Sequence, residues 1–166
     1  SIPLKHIVTA AHYNGKIPRN PFAMYHVDPD HKEREFLTLD ELTAMTEIKL
    51  EDPNMAFARD LFIFGSWTGI AFIDIKNLTE DNITMVNGAP WIVSKRQKTG
   101  VPFQIKLLDI PMQIVERYKS FRNGNHLFNI GNLDSINKRI KKVAVMCGIK
   151  KRVSFHVSRH SWAVLA

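Results

Sequence analysis

The stretch Phe155-His156-Val157-Ser158-Arg159-His160-Ser161-Trp162 places two histidines and an arginine within five residues, at the mouth of a segment with helical spacing. A spacing of three puts His156 and Arg159 one above the other on a single helical face. The guanidinium offers a rigid fork of donors matched to two phosphate oxygens, and a neighbouring imidazole can add a donor or move a proton. Cations in a first turn oppose the helix dipole, which favours acids there, so an anionic ligand would give them a reason. A phosphate site is the sharp reading. A surface helix with a basic first turn is the plain one, because motifs this short recur by chance. A second basic cluster, Lys95-Arg96-Gln97-Lys98-Thr99-Gly100, lies between two strand-like runs, where lysines also serve solubility alone.

These residues need elements to position them. Leu4, Ile7, Val8 and Ala11 have helical spacing, and Asn14-Gly15 then Pro18-Arg19-Asn20-Pro21 break it. Thr38-Leu39-Asp40-Glu41 is a capping box that opens a helix to about Lys49. Asn54 is expected to cap a second helix that runs to Trp67, with Gly69 as its stop. Apolar residues on nearly every side of that helix mean burial, which makes Arg59 its odd member. A short helix over 71–76 follows. The period then changes to two: Ile83–Val86, the hairpin signal Asn87-Gly88, Trp91–Ser94 and Val101–Leu107 predict a small three-stranded antiparallel sheet. Asp109 is expected to cap the next helix, and Leu133–Met146 predicts another, ended by Gly148. On the latter, Lys138, Arg139, Lys141 and Lys142 form either a solvated face or a patch for a DNA backbone.

Composition narrows the partners. The formal charge of +7 over 166 residues favours a polyanion, with nucleic acid the first candidate and an acidic membrane surface not separable by charge. No apolar run reaches membrane-spanning length, and no signal-peptide pattern opens the sequence. The single cysteine, Cys147, excludes an internal disulfide, argues against a cysteine metal site and fits a reducing cytosol. Cys147 itself reads as core packing near a helix end.

In order and spacing, FLTLDEL (36–42), TGIAFIDIKNL (68–78), KRQKTG (95–100) and FHVSRHSWA (155–163) resemble the tyrosine recombinases, or phage-type integrases, particularly those of integrative and conjugative elements. The resemblance implies a mainly α catalytic domain with a small three-stranded antiparallel sheet over residues 35–166. It also implies that 1–18 are the tail of a core-binding domain and 19–34 an interdomain linker. Lys98 looks like the hairpin lysine that protonates the leaving 5′ oxygen. His156 and Arg159 look like the residues that hold the scissile phosphate, Asp74 like a buttressing carboxylate, and His160 like a supporting histidine. Lys95, Arg96, Lys138, Arg139, Lys141 and Lys142 are the expected DNA contacts. The implied activity is cleavage and rejoining of DNA through a 3′-phosphotyrosyl link. The implied partners are double-stranded recombination sites, a tetramer on DNA and an accessory DNA-bending protein. No cofactor, metal or membrane is implied, and the setting would be the bacterial cytoplasm, at the nucleoid.

Two departures accompany the resemblance. The family's Thr-Gly-x-Arg arginine is replaced by Ala71, which cannot contact a phosphate. Arg59 is the expected substitute, weighed against a buried structural pair with Asp74 or another carboxylate. The family's nucleophilic tyrosine lies downstream of the His-x-x-Arg segment, whereas the tyrosines here are Tyr13, Tyr25 and Tyr118. Tyr118, at helical spacing from Ile114 and Val115, reads as core, so the catalytic domain is expected to lack its nucleophile segment. A DNA-binding module without catalysis and a type IB topoisomerase-like enzyme are the competing readings.

Overall fold

The capping box forms as its residues dictate: Thr38 Oγ1 accepts from Glu41 N, and the Glu41 carboxylate accepts from Thr38 N at 2.8 Å. It opens α2 (Leu39–Glu47). The computed structural model describes residues 2–24 and 35–165. It divides into two compact units, Ser1–Glu33 and Arg34–Ala166.

The first unit holds α1 (Ile2–Tyr13), with Leu4 and Ile7 of its apolar stripe 49% and 66% exposed. Asn20 Nδ2 donates to Thr9 Oγ1, which folds the following turn back on the helix. Of the expected linker, residues 25–34 lie outside the described residues.

The second unit is built on α3 (Pro53–Thr68), whose Leu61, Phe62, Ile63 and Phe64 are all at most 1% exposed. Its cap is Asp52, which accepts from Asn54 N at 2.8 Å, rather than Asn54 itself. Pro53 occupies the first helical position, where the missing N–H is no loss and the fixed φ suits a helix. Gly69 ends α3 in the left-handed region, at φ 66°. After α4 (Phe72–Lys76) come β1 (Ile83–Val86), β2 (Ala89–Lys95) and β3 (Pro102–Lys106), in antiparallel order β1-β2-β3. Asn87 and Gly88 both take positive φ (51° and 77°), as the two-residue hairpin requires. Ile83 and Ile105 flank Ile92 across the sheet, and this row turns inward, with Ile92 fully buried.

Three more helices complete the unit: α5 (Asp109–Arg117), α6 (Leu133–Met146) and α7 (Phe155–Leu165). Leu108, not Asp109, is the α5 cap residue, and it makes no side-chain cap bond. Asn132 caps α6 through Ser135 N at 2.8 Å. Cys147 lies half-buried at the α6 C-terminus with Sγ 3.6 Å from Ala44 O, and burial pushes its thiol up from the usual value. The core joins Leu37, Met45, the α3 apolar residues, Ile75, Leu78, Leu127, Phe128, Ile140 and Val143.

Candidate phosphate and DNA site

α7 carries the histidine–arginine pattern, and two glycines, Gly65 within α3 and Gly69 at its end, determine how closely it approaches. A Cβ on Gly65 would stand 2.7 Å from Ser158 Oγ, and one on Gly69 2.6 Å from the Trp162 ring. At such distances a side chain on either glycine would force the facing α7 side chains to shift. Three contacts fix the helix. Phe155 N donates to Asn137 Oδ1 of α6 at 2.7 Å. The Phe155 ring meets Phe72 edge-on at 5.2 Å. Fully buried Ser161 accepts from Leu37 N at 2.9 Å and donates to Val157 O.

On this helix His156 is exposed and Arg159 half-buried. The His156 and His160 rings stand edge to face, 4.6 Å apart. Arg159 has no ion pair or side-chain hydrogen bond among the described residues. A partly desolvated guanidinium without a counter-ion is one with which an anion can still pair.

One turn further along α7, Trp162 walls a cavity of about 240 Å³. Ala71, Asp74 and Arg96 line the same cavity, together with Thr68, Gly69 and Phe103. Arg96, read from sequence as a backbone contact, is therefore the cation that borders the space beside Ala71. A signal for it existed: it lies two residues from Lys98 on the same turn. The turn is closed by Gly100 N donating to Arg96 O (2.8 Å) and Arg96 N to Val101 O (2.9 Å). Lys98 stands exposed at its tip. Asp74, 9% exposed, accepts from Gln97 N at 2.8 Å.

Arg59 does not fill the place that the sequence suggested. Its Nη1 donates to the carbonyls of Met45 (3.2 Å), Thr46 (2.9 Å) and Ile48 (3.1 Å), and its Nε to Asp60 at 2.5 Å. The guanidinium thus closes the carbonyl end of α2, the group of acceptors that a helix leaves unsatisfied. The buried pair exists, but its carboxylate is Asp60 rather than Asp74. Asp60, 3% exposed, also accepts from Arg117 Nη1 (2.7 Å) and Tyr118 Oη (2.8 Å). Burial first, then the bond to Asp60, pushes the Tyr118 phenol well above its ordinary 10.0, so it stays protonated. Tyr118 also packs on Phe57 with ring centroids 4.9 Å apart, as its spacing implied.

On α6, Ile136, Ile140, Val143 and Ala144 are buried, which turns Lys138, Lys141 and Lys142 to solvent. Arg139 folds back to hydrogen-bond Ser135 of the same helix, which removes it from an open basic face. Lys95 is exposed at the end of β2. Among the described residues, no cluster of three or more His, Cys, Asp or Glu could hold a metal ion, and no helix is long and apolar enough to cross a membrane.

The described architecture, with α7 against α3 and the three-stranded sheet beside them, is the fold of the tyrosine-recombinase catalytic domain. It superposes on the Tn1549 transposon integrase in complex with circular intermediate DNA at TM-score 0.73, with 17% identity over 98% of this chain and 62% of that one. A lambda integrase dimer bound to a COC′ core site gives TM-score 0.74, at 18% identity over 98% of this chain and 63% of that one. The XerH recombinase bound to its difH substrate gives TM-score 0.65, at 17% identity, over 80% of this chain and 42% of that one. This chain therefore spans about two fifths to just over three fifths of the length of these structures. No family model and no curated protein matches the sequence.

Proposed function

We propose that this chain is most of the catalytic domain of a site-specific DNA recombinase of a mobile genetic element, acting through a 3′-phosphotyrosyl intermediate. The observation that carries the reading is Arg159, half-buried without a counter-ion on the α7 face that continues into the Arg96 cavity. In this reading Arg159 and His156 hold the scissile phosphate. Arg96 supplies from the hairpin turn the charge that Ala71 lacks. The nucleophilic tyrosine is a residue other than Tyr118 and lies outside the described site. Its oxygen, with the phenolic proton lost to solvent, attacks phosphorus, the P–O bond to the 5′ oxygen breaks, and the Lys98 ammonium gives its proton to that leaving oxygen. One phosphodiester replaces another, so no nucleotide hydrolysis is needed. Cationic donors around the equatorial oxygens are what such a transfer demands. Residues 1–18 belong to a preceding core-binding domain, with 19–34 as linker. Double-stranded recombination sites, a tetramer and an accessory bending protein are the proposed partners.

Cleavage by the full-length protein of a duplex carrying the junction of the encoding element's ends tests this reading. Lys98→Ala should slow cleavage by roughly a hundred- to ten-thousand-fold, the range of general acid catalysis, with duplex affinity retained. Unchanged cleavage in Lys98→Ala would refute the assignment of the acid. A second reading, a DNA-binding module without catalysis, is favoured by Ala71 alone. It predicts duplex binding and no cleavage in any variant, wild type included.

A further inference from the structure

We propose that the loop ahead of α6, residues 122–131, reads base edges beside the scissile phosphate through Asn123, His126 and Asn129. This rests on the strand-exchange reading given above. The loop backbone is tied to the segment that follows α4. Leu127 N donates to Leu78 O at 2.9 Å, and Glu80 N to Asn125 O at 3.0 Å. Asn125 Nδ2 donates to Asp81 Oδ2 at 2.5 Å, and Arg122 pairs with Glu80. Leu127, Phe128 and Ile130 sink into the core. A loop held at so many points presents its outward side chains in defined positions, as a recognition surface requires.

Asn123, His126 and Asn129 are exposed, and with Lys76 and Asn77 they line one cavity of about 190 Å³. Among the described residues, none of the three makes a side-chain hydrogen bond or ion pair, so the fold does not consume their polar groups. An amide carries donor and acceptor side by side, and a neutral imidazole one of each, which is the pattern a base edge presents in reverse. A track for phosphates alone would be lined with cations, and of the five residues only Lys76 carries a permanent charge. The cavity also adjoins the hairpin turn. Asn77 Nδ2 donates to Gln97 Oε1 at 3.4 Å, and Gln97 stands between Arg96 and Lys98. A duplex whose phosphate lies at that turn meets this loop next. Lys76, whose Nζ donates to Gly131 O at 3.3 Å, stands beside the amides to take a neighbouring phosphate.

The test uses the full-length protein with the same junction duplex, a random duplex, and a pool of junction duplexes randomised around the cleavage point. It reads binding alone. Asn129→Ala should lower the preference for junction over random duplex roughly tenfold, the loss of one bidentate base contact. In the selected pool it should erase the base preference at one pair. Its salt slope should match that of wild type, because an amide releases no counter-ion. Lys76→Ala should do the reverse, lowering the slope by about one contact with the base preferences kept. Asn129→Asp keeps the shape but can only accept, so it should move the preference at that pair toward one presenting the cytosine amino group. A merely structural asparagine would not redirect a base. Unchanged preferences in Asn123→Ala, His126→Ala and Asn129→Ala, or affinity lost equally on junction and random duplexes, would overturn the proposal. Should Asn129→Ala not fold, Asn123→Ala and Asn129→Asp carry the same comparison. Base preferences that shift in the variants of a protein that does not cleave would support the loop and count against the strand-exchange reading alone.

Discussion

Arg59 and Arg96 show how two arginines of the same formal charge take opposite duties. Arg59 lies on a helix whose neighbours Leu61, Phe62 and Ile63 leave no route to water, and its four donor contacts are all internal. Arg96 sits on an exposed turn, borders a cavity and has no ion pair among the described residues. Replacing Arg59 with alanine would leave Asp60 to Arg117 and Tyr118 alone and strip the carbonyls of Met45, Thr46 and Ile48 of their shared donor. We expect Arg59→Ala to lower unfolding free energy by about 3–5 kcal/mol, the usual loss when one partner of a buried ion pair is removed. Chemical denaturation monitored by tryptophan fluorescence gives the number. A loss below about 1 kcal/mol would mean that the network contributes no more than a surface pair. Lysine cannot repair it, because one ammonium does not reproduce the separated Nε and Nη1 donors. Sequence flagged Arg59 as anomalous by its burial alone. It could not indicate the partners, because the Asp60 network closes through Arg117 and Tyr118, at separations of 57 and 58 residues.

At the scale of elements, local chemistry was the legible part. Thr38 with Glu41, Asn87 with Gly88, and Gly69 each act on their own backbone, so they define boundaries without tertiary help. The misplaced caps were cases in which two residues competed. Asp52 took the cap ahead of Asn54 because proline is at ease in a first turn. Leu108 took it ahead of Asp109, whose carboxylate suits the positive helix end from the first turn as well. The contact between α3 and α7 was hidden, since a glycine's need for space depends on what faces it. Gly69→Ala meets both a left-handed φ of 66° and the Trp162 ring at 2.6 Å. We expect a loss of more than about 1 kcal/mol from backbone strain alone, with added displacement of α7. Calorimetry would measure the loss, and an unchanged melting temperature would contradict it.

The α2 cap has a pH signature. Burial pushes Glu41 up, but Lys151 and the Thr38 donors together outweigh it and hold the carboxyl below 4.5. A lowered folded pKa contributes stability that is fully present above the unfolded value of 4.5 and is lost as pH falls through the folded value. Glu41→Gln should therefore flatten part of the acid limb of the stability curve below pH 4.5 and leave the basic limb unchanged. Because the pair with Lys151 is partly solvated, the effect should be small and should shrink in salt.

For the molecule as a whole, charge is the property that sequence gave without ambiguity and structure then distributed. The formal +7 is carried partly by residues that now have internal duties, among them Arg59, Arg122 and Lys151. Lys95, Arg96, Lys98 and Arg159 remain without an ion pair among the described residues, as do Lys138, Lys141 and Lys142 on the outer face of α6. Duplex binding should accordingly depend on salt with a slope set by the groups that reach phosphates, about 0.9 in log affinity against log salt for each. Arg96→Ala and Arg159→Ala should each reduce the slope by about one such contact. Fluorescence anisotropy of the 166-residue chain with a random duplex, begun at low salt, is sufficient to measure this. Equal slopes for wild type and both site variants would place DNA on a surface other than the α7–hairpin face. The α6 lysines are then the next to be tested, because a phosphate track there would reduce the slope in Lys138→Ala, Lys141→Ala and Lys142→Ala and spare Arg159→Ala.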